Sequence, residues 1–165
     1  RLPRLTHTVG VDLAPEMLHI ARDKLARAGC AAKLTLGDAH RLPFEENSFD
    51  AVTVAFGIRN MADRPHALTE MRRVLNCGGT LAVLEFSVPE SPRLRALYLT
   101  YFRHILPAIG RLVSGDIQAY RYLTTSVEAF PSRDQFAAML RNTGFSQVST
   151  RLLTFGVAML YLARK

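Results

Sequence analysis

Two hydrophobic periods alternate along this 165-residue chain. Thr6 to Asp12 is a short β-branched run, after which Pro15 opens a segment where Met17, Leu18, Ala21, Leu25 and Ala28 recur at helical spacing until Gly29. Lys33 to Gly37 reads as a second strand. Asn47-Ser48 supplies turn chemistry, and Phe49 to Phe56 is a continuous apolar run, the pattern of a strand buried on both faces of a parallel sheet. Asp63 predicts a helix cap, with Pro65 at the first helical position and a face made of Ala67, Leu68, Met71, Val74 and Leu75. Gly78-Gly79 is expected to close that helix before the chain returns as a second buried strand ending in Leu84-Glu85-Phe86-Ser87. Strand, helix and strand repeated with short connections imply an α/β fold, a Rossmann-like doubly wound, mostly parallel sheet.

The pattern then changes. From Arg93 to Val113, residues Leu94, Leu97, Tyr98, Tyr101, Phe102, Ile105, Ile109 and Leu112 form a helical stripe interrupted by Pro107 and flanked by Arg95, Arg103 and Arg111. Helices are expected over Asp116 to Phe130 and over Ser132 to Asn142, the second capped by Ser132 and closed by Gly144. Residues 93–130 thus read as a helical insertion covering a pocket. Ser146 to Thr154 and Val157 to Lys165 predict an antiparallel hairpin at the sheet edge.

With 48% hydrophobic residues and a mean hydropathy of +0.07, one globular domain with a real core is expected. The net charge of +7 suits an anionic partner. Arg and Lys are nevertheless scattered through periodic segments, without a dense run or aromatic interleaving, which disfavours nucleic acid. Cys30 and Cys77 have no spacing for zinc, so plain thiols in a reducing, cytosolic compartment fit. No uninterrupted apolar run approaches the ~18 residues of a membrane span. The histidines at 7, 19, 40, 66 and 104 fall in different elements and make no metal set; solvated or capping roles are their default.

Candidate chemistry collects at strand ends, where open α/β sheets bind ligands. Asp12 directly follows an apolar strand, and a carboxylate there accepts hydrogen bonds from both hydroxyls of a ribose; its bland alternative is a charge at a helix N-terminus. Asp38 with Ala39 repeats the position one strand later, suiting an adenine amino group with a small residue beneath the ring, or an ordinary turn aspartate. Arg59 and Asn60 follow the Phe49–Phe56 strand at the rim of the same crevice. Arg offers fixed positive charge for a developing phenolate or a water, and Asn both donates and accepts; a surface salt bridge and a loop Asn are the alternative. Glu85 joins this network or serves as structural partner to Arg59. Asp116, Tyr120 and Tyr122 form a weaker constellation, since the two tyrosines do not share one helix face.

Phe49-Asp50, Phe56-Gly57-Ile58-Arg59-Asn60, Arg73-Val74-Leu75 with Gly78-Gly79, Leu84-Glu85-Phe86-Ser87, Leu106-Pro107, Tyr120-Arg121-Tyr122-Leu123 and Gly144-Phe145 together resemble the ubiquinone/menaquinone biosynthesis C-methyltransferase family, over nearly the whole chain. The resemblance implies a class I methyltransferase that uses S-adenosylmethionine, with Asp12 on its ribose, Asp38 and Ala39 on its adenine, and Ala55 at a position where some members carry a cofactor-contacting Ser. It implies Arg59 and Asn60 as catalytic residues lining a quinol pocket, with Asp116, Tyr120 and Tyr122 on the substrate. That substrate would be a polyprenylated hydroquinone, demethylmenaquinol or a ubiquinol precursor. The basic helical stripe and the lipid nature of such a substrate suit a peripheral contact with the inner face of the membrane, the alternative being that the stripe packs against the sheet; a homo-oligomer is left open.

Departures are Asn76-Cys77 in place of Lys-Pro before the glycine pair, and the tail Leu160-Tyr161-Leu162-Ala163. The resemblance also places the family's first strand and its glycine-rich cofactor loop upstream of Arg1, so that this chain corresponds to about two-thirds of a methyltransferase by ordinary βα unit sizes. Two other readings stand beside it: a non-catalytic binding or assembly subunit with this fold, and a methyltransferase for another phenolic or lipid substrate. A nucleotide-binding oxidoreductase is disfavoured because no Gly-x-Gly-x-x-Gly is present.

Overall fold

In a computed structural model of the chain, residues 7–105 and 117–165 are described. Strand β1 (Val9–Asp12), helix α1 (Pro15–Arg27) and strand β2 (Lys33–Leu36) form one βαβ unit with β1 and β2 parallel, Asp12 standing opposite Leu36. Strands β3 (Phe49–Ala55), β4 (Leu75–Phe86), β5 (Ser146–Leu153) and β6 (Ala158–Arg164) form a second sheet in the order β3-β4-β6-β5. β3 and β4 are parallel, whereas β6 runs antiparallel to both β4 and β5, as the hairpin pattern predicts.

Helix α2 (Arg64–Val74) connects β3 to β4, and α5 (Arg133–Asn142) packs beside it. Asp63 caps α2 by accepting the His66 N–H at 3.0 Å, and Ser132 caps α5 through a capping box with Gln135. Between them lie α3 (Pro92–Thr100), a π-helical turn over Tyr101–Ile105, and α4 (Ile117–Glu128). Pro107 and the rest of the stripe to Val113 fall outside the described residues.

The core follows from period-2 alternation. Leu81 and Val83 of β4 meet Ala163 and Tyr161 of β6 in register, and the fully buried Leu68 of α2 and Phe136 and Leu140 of α5 cover them. Tyr161 and Phe136 rings make an edge contact at 4.7 Å. The described residues before Ile58 contain none that is buried to the same degree.

Two expectations are corrected. β3 is not buried on both faces: Val52 and Val54 turn toward the core, while Ala51, Thr53 and Ala55 are exposed, because the described helices α2 and α5 cover only one side. Nor does the glycine pair close α2, which ends at Val74 with Leu75 already extended. Gly78 and Gly79 instead form an irregularity inside β4, where Phe49 pairs with Leu75 and Ala51 with Thr80. A Cβ on Gly79 would stand 2.9 Å from the Asn76 carbonyl oxygen and 3.2 Å from that of Asp50, which only glycine tolerates. Asn76 finds its own role there, donating to Asp50 Oδ1 at 2.7 Å.

The two sheets share no strand pairing, and the loop after β2 bridges them. Arg73 of α2 donates to the carbonyls of Leu42 and Phe44 and is gripped by Glu70 through two contacts of 2.8 Å, while Glu70 accepts the Leu42 N–H. The Arg73 guanidinium holds the Glu70 carboxyl below its ordinary value of 4.5. A depressed folded value places this contribution to stability fully above pH 4.5 and removes it as pH falls through the lower folded value. Urea midpoints of the wild type are expected to drop over that acid window, and the drop should be smaller for Glu70→Gln, which has no carboxyl to protonate.

Candidate functional site

The carboxyl ends of β1, β2, β3 and β4 carry the predicted polar residues. Asp12 Oδ1 accepts the Ala14 N–H at 2.9 Å, which steadies the start of α1, and Oδ2 takes no protein donor among the described residues. Asp38 does likewise: Oδ1 accepts the His40 N–H at 2.9 Å and faces His40 Nδ1 at 2.7 Å. The His40 main-chain N–H, and next its ring, hold the Asp38 carboxyl below the usual range, so it is ionised wherever the protein is folded near neutrality. Ala39 is half-buried against the core, and Ala55 is exposed at the end of β3.

Glu85 explains how the turn after β3 is built. It occupies the inward face of β4, next in the alternation after Leu81 and Val83, and is completely buried. A carboxylate there requires a partner and donors. Arg59 Nη1 supplies the charge at 2.8 Å, and the main-chain N–H groups of Arg59 and Phe86 donate at 3.2 and 2.9 Å. Of the two roles open to Glu85, the geometry selects partnership with Arg59. Arg59 Nη1 also donates to the Phe56 carbonyl, and its guanidinium lies over the Phe86 ring at 5.4 Å.

The chain makes this turn by placing Phe56, not Gly57, in the left-handed region, with φ of +55°. A bulky residue there is strained. It is held by the Phe56 N–H donating to the Leu84 carbonyl at 2.8 Å and by ring contact with Phe86 at 4.4 Å. A 3₁₀ turn over Ile58–Asn60 follows, with Ile58 fully buried as its anchor.

Asn60 Oδ1 accepts a hydrogen bond from the Tyr122 hydroxyl at 2.9 Å, joining α4 to this turn. Tyr120 lies in α4, and Asp116 lies outside the described residues. The structure therefore brings together Arg59, Asn60, Glu85 and Tyr122, while Asp12 ends β1 and Asp38 follows β2 in the separate two-stranded sheet.

Arg64 escaped the sequence reading. Its Nη2 donates to the Arg59 carbonyl at 2.9 Å and its guanidinium lies over Phe130 at 5.5 Å. The helix starts one residue earlier than predicted, so that Arg64 and not Pro65 takes its first position, where the dipole favours anions. Arg59 Nε and Arg64 Nε are both buried without an acceptor among the described residues. No group of residues able to hold a metal occurs among those described.

The sequence profile of the ubiE/COQ5 methyltransferase family matches residues 4–165. The chain is 48% identical over 157 residues to a demethylmenaquinone methyltransferase of Deinococcus radiodurans, covering 95% of this chain and 65% of that protein. Identity is 49% to the demethylmenaquinone methyltransferase of Thermus thermophilus, covering 93% of this chain and 70% of the relative. It is 43% to the ubiquinone/menaquinone biosynthesis C-methyltransferase UbiE of Geobacter sulfurreducens, covering 95% of this chain and 62% of the relative. The chain thus spans less than two-thirds of the first and third of these relatives. Among solved structures, a SAM-dependent methyltransferase of Thermotoga maritima, a possible histamine N-methyltransferase, superposes with a TM-score of 0.68 at 20% identity over 96% of this chain and 72% of that one. The [4+2]-cyclase SpnF superposes at 0.71, also at 20% identity, over 96% of this chain and 66% of that one. The fold is accordingly the Rossmann-like one of class I SAM methyltransferases, and a cyclase on the same fold shows that fold alone leaves the reaction open.

The Glu85–Arg59 pair makes a measurable prediction. Glu85→Ala leaves a buried guanidinium without its carboxylate and should cost about 3–5 kcal/mol of stability. Chemical denaturation should show a smaller loss for the double variant Arg59→Met/Glu85→Leu, which removes both charges.

Proposed function

The chain belongs to the ubiE/COQ5 methyltransferase family, and from that membership we propose that it serves S-adenosylmethionine-dependent C-methylation of a polyprenylated hydroquinone, demethylmenaquinol or a ubiquinol precursor. The observation that carries the reading is the placement of two acceptor carboxylates, Asp12 and Asp38, on adjacent parallel strand ends, beside a turn whose charged groups are buried and pre-set. Each carboxylate spends one oxygen on its own loop and keeps the other for a ligand, which suits a ribose diol at Asp12 and an adenine amine at Asp38. Ala39 beside Asp38, and Ala55 at the end of β3, leave room for the ring and the ribose.

The cofactor, when bound, supplies a transferable methyl group. Loss of a phenolic proton makes the adjacent ring carbon of the substrate nucleophilic, and the protein's task is alignment, charge stabilisation and exclusion of water. Arg59 is tied through Nη1 to Glu85 and Phe56, so its position is fixed before the substrate arrives. The side chain keeps 11% of its surface exposed, so its fixed positive charge reaches the rim while Nε stays buried. The guanidinium carries donors and no acceptor, so the phenolic proton leaves to another group. Asn60, held by Tyr122, adds a further polar contact that positions the ring.

β1 and β3 each have one edge without a partner strand among the described residues, and a parallel strand between them would complete one sheet in the order β2-β1-strand-β3-β4-β6-β5. We assign that place to the family's first strand, with its glycine-rich loop reaching the methionine end of the cofactor. Helix α3 and the π-helical turn are the segment we assign to a lipid surface: Leu94, Leu97, Tyr101 and Ile105 are exposed along one line, with Arg93 and Arg95 beside them. No described helix is long and apolar enough to cross a membrane.

In the longest natural form of the protein, Asp12→Ala should raise the Kd for S-adenosylmethionine by roughly tenfold or more, on the scale of lost hydrogen bonds to a charged group. Arg59→Lys, which keeps a cation beside Glu85, should lower kcat on demethylmenaquinol with a smaller effect on cofactor Kd. Calorimetry and a methyl-transfer assay decide it; a wild-type protein that binds no S-adenosylmethionine would leave the non-catalytic subunit as the better reading. Cosedimentation with anionic phosphatidylglycerol vesicles should fall on replacing Leu97 and Ile105 by Ser, and should weaken in high salt.

A further inference from the structure

One imidazole ties the loop after β2 to the segment that leaves the Arg59–Asn60 turn. His40 Nε2 accepts the Asp63 main-chain N–H at 3.3 Å. A ring nitrogen that accepts carries no proton, so the proton of the neutral ring lies on Nδ1. There it is donated to Asp38 Oδ1 at 2.7 Å, the oxygen that the His40 main-chain N–H already reaches at 2.9 Å. Asp63 in turn caps α2 through the His66 N–H, and the His66 ring stands 5.9 Å from that of His40. Asp63 is joined to Asn60 by Met61 and Ala62 alone.

We propose that His40 is a positioning residue: it orients the Asp38 carboxylate toward the adenine amino group and fixes the adenine subsite relative to the Arg59–Asn60 turn. This rests on the reading of Asp38 as the adenine acceptor. The physical need is plain, because Asp38 is about half exposed, at 49% of its side chain, and an exposed carboxylate samples several rotamers. Two donors on one oxygen, one of them a ring anchored at its far side, leave Oδ2 as the oxygen presented to a ligand. The same ring links the loop after β2 to the segment between the Arg59–Asn60 turn and α2, across two sheets that share no strand pairing, so the adenine acceptor is tied to the chain just beyond Asn60.

The chemistry of the base provides the test. S-Adenosylhomocysteine presents an amino group where S-inosylhomocysteine presents a carbonyl oxygen, and only the first gains from an oriented carboxylate. Calorimetric titration of the longest natural form with both ligands is expected to show His40→Ala weakening S-adenosylhomocysteine roughly five- to tenfold, while S-inosylhomocysteine changes by less than about twofold in the same cycle. His40→Asn, whose amide nitrogen takes the place of Nδ1, should recover most of the loss. Equal weakening of the two ligands by His40→Ala means a merely structural role and overturns the inference, as does an unchanged S-adenosylhomocysteine affinity alongside a weakened Asp38→Ala. An Asp38→Ala variant that binds both ligands as the wild type does removes the adenine reading itself, and the inference with it.

Discussion

A buried carboxylate organises the far end of this fold. Moving Glu85 out of water costs several kcal/mol even after relaxation, and that cost is met only where charge and hydrogen-bond donors converge on both oxygens. Parallel pairing of β3 with β4 brings the turn after Ala55 alongside Glu85, so the turn is the one segment able to deliver Arg59 and its N–H group. To do so the backbone reverses at Phe56 in a conformation unfavourable to a side chain, and the tilted contact of Phe56 with Phe86, with Arg59 above the latter, offsets it. Once Arg59 is seated, its carbonyl receives Arg64, and Asn60 is presented to Tyr122. The pair is a device for geometry more than for net stability, since well-packed apolar residues of similar volume would serve stability as well.

The other half of the molecule is held differently. β1, α1 and β2 contribute no fully buried side chain, and polar staples dock the loop beyond β2 on α2: Arg73 on the carbonyls of Leu42 and Phe44, Glu70 on the Leu42 N–H, His40 on Asp63. Such contacts are directional but individually modest, on the order of 1 kcal/mol each. Relative placement of the two halves is therefore a matter of hydrogen-bond geometry, and a region with few buried apolar contacts is the one expected to open most readily.

What the sequence disclosed and what it withheld have separate physical causes. Caps at Asp63 and Ser132, the helical faces of α2 and α5 and the terminal hairpin were legible because local chemistry decides them. Asp12 and Asp38 were legible as strand-end acids, and the Glu85–Arg59 alternatives were both visible. The two failures involved long-range context. An apolar run such as β3 does not say how many of its faces have cover, and Gly78-Gly79 resembles a helix stop although it serves a close backbone approach between Asp50 and Asn76. His40 and Arg64 were missed because their partners, Asp63 and the Arg59 carbonyl, become neighbours only through the fold.

The basic composition has the same kind of explanation. A net charge of +7 invites a search for an anionic partner, yet many of the cations are engaged within the chain. Arg64, Arg72, Arg73 and Arg164 donate to main-chain carbonyls, Lys165 caps those of Arg73 and Leu75, and Arg59, Arg103 and Arg133 pair with Glu85, Glu128 and Glu90. Guanidinium suits this work because its fork of donors satisfies carbonyls left over where strands and helices end, and it remains charged in any environment the protein offers. Where the partner is a carboxylate the charge is compensated locally, and where it is a carbonyl the side chain is anchored while its charge remains. Among the remaining cations, Arg93 and Arg95 stand beside the exposed apolar line of Leu94, Leu97, Tyr101 and Ile105, and charge next to apolar side chains suits a lipid headgroup boundary better than it suits the regular phosphates of a nucleic acid.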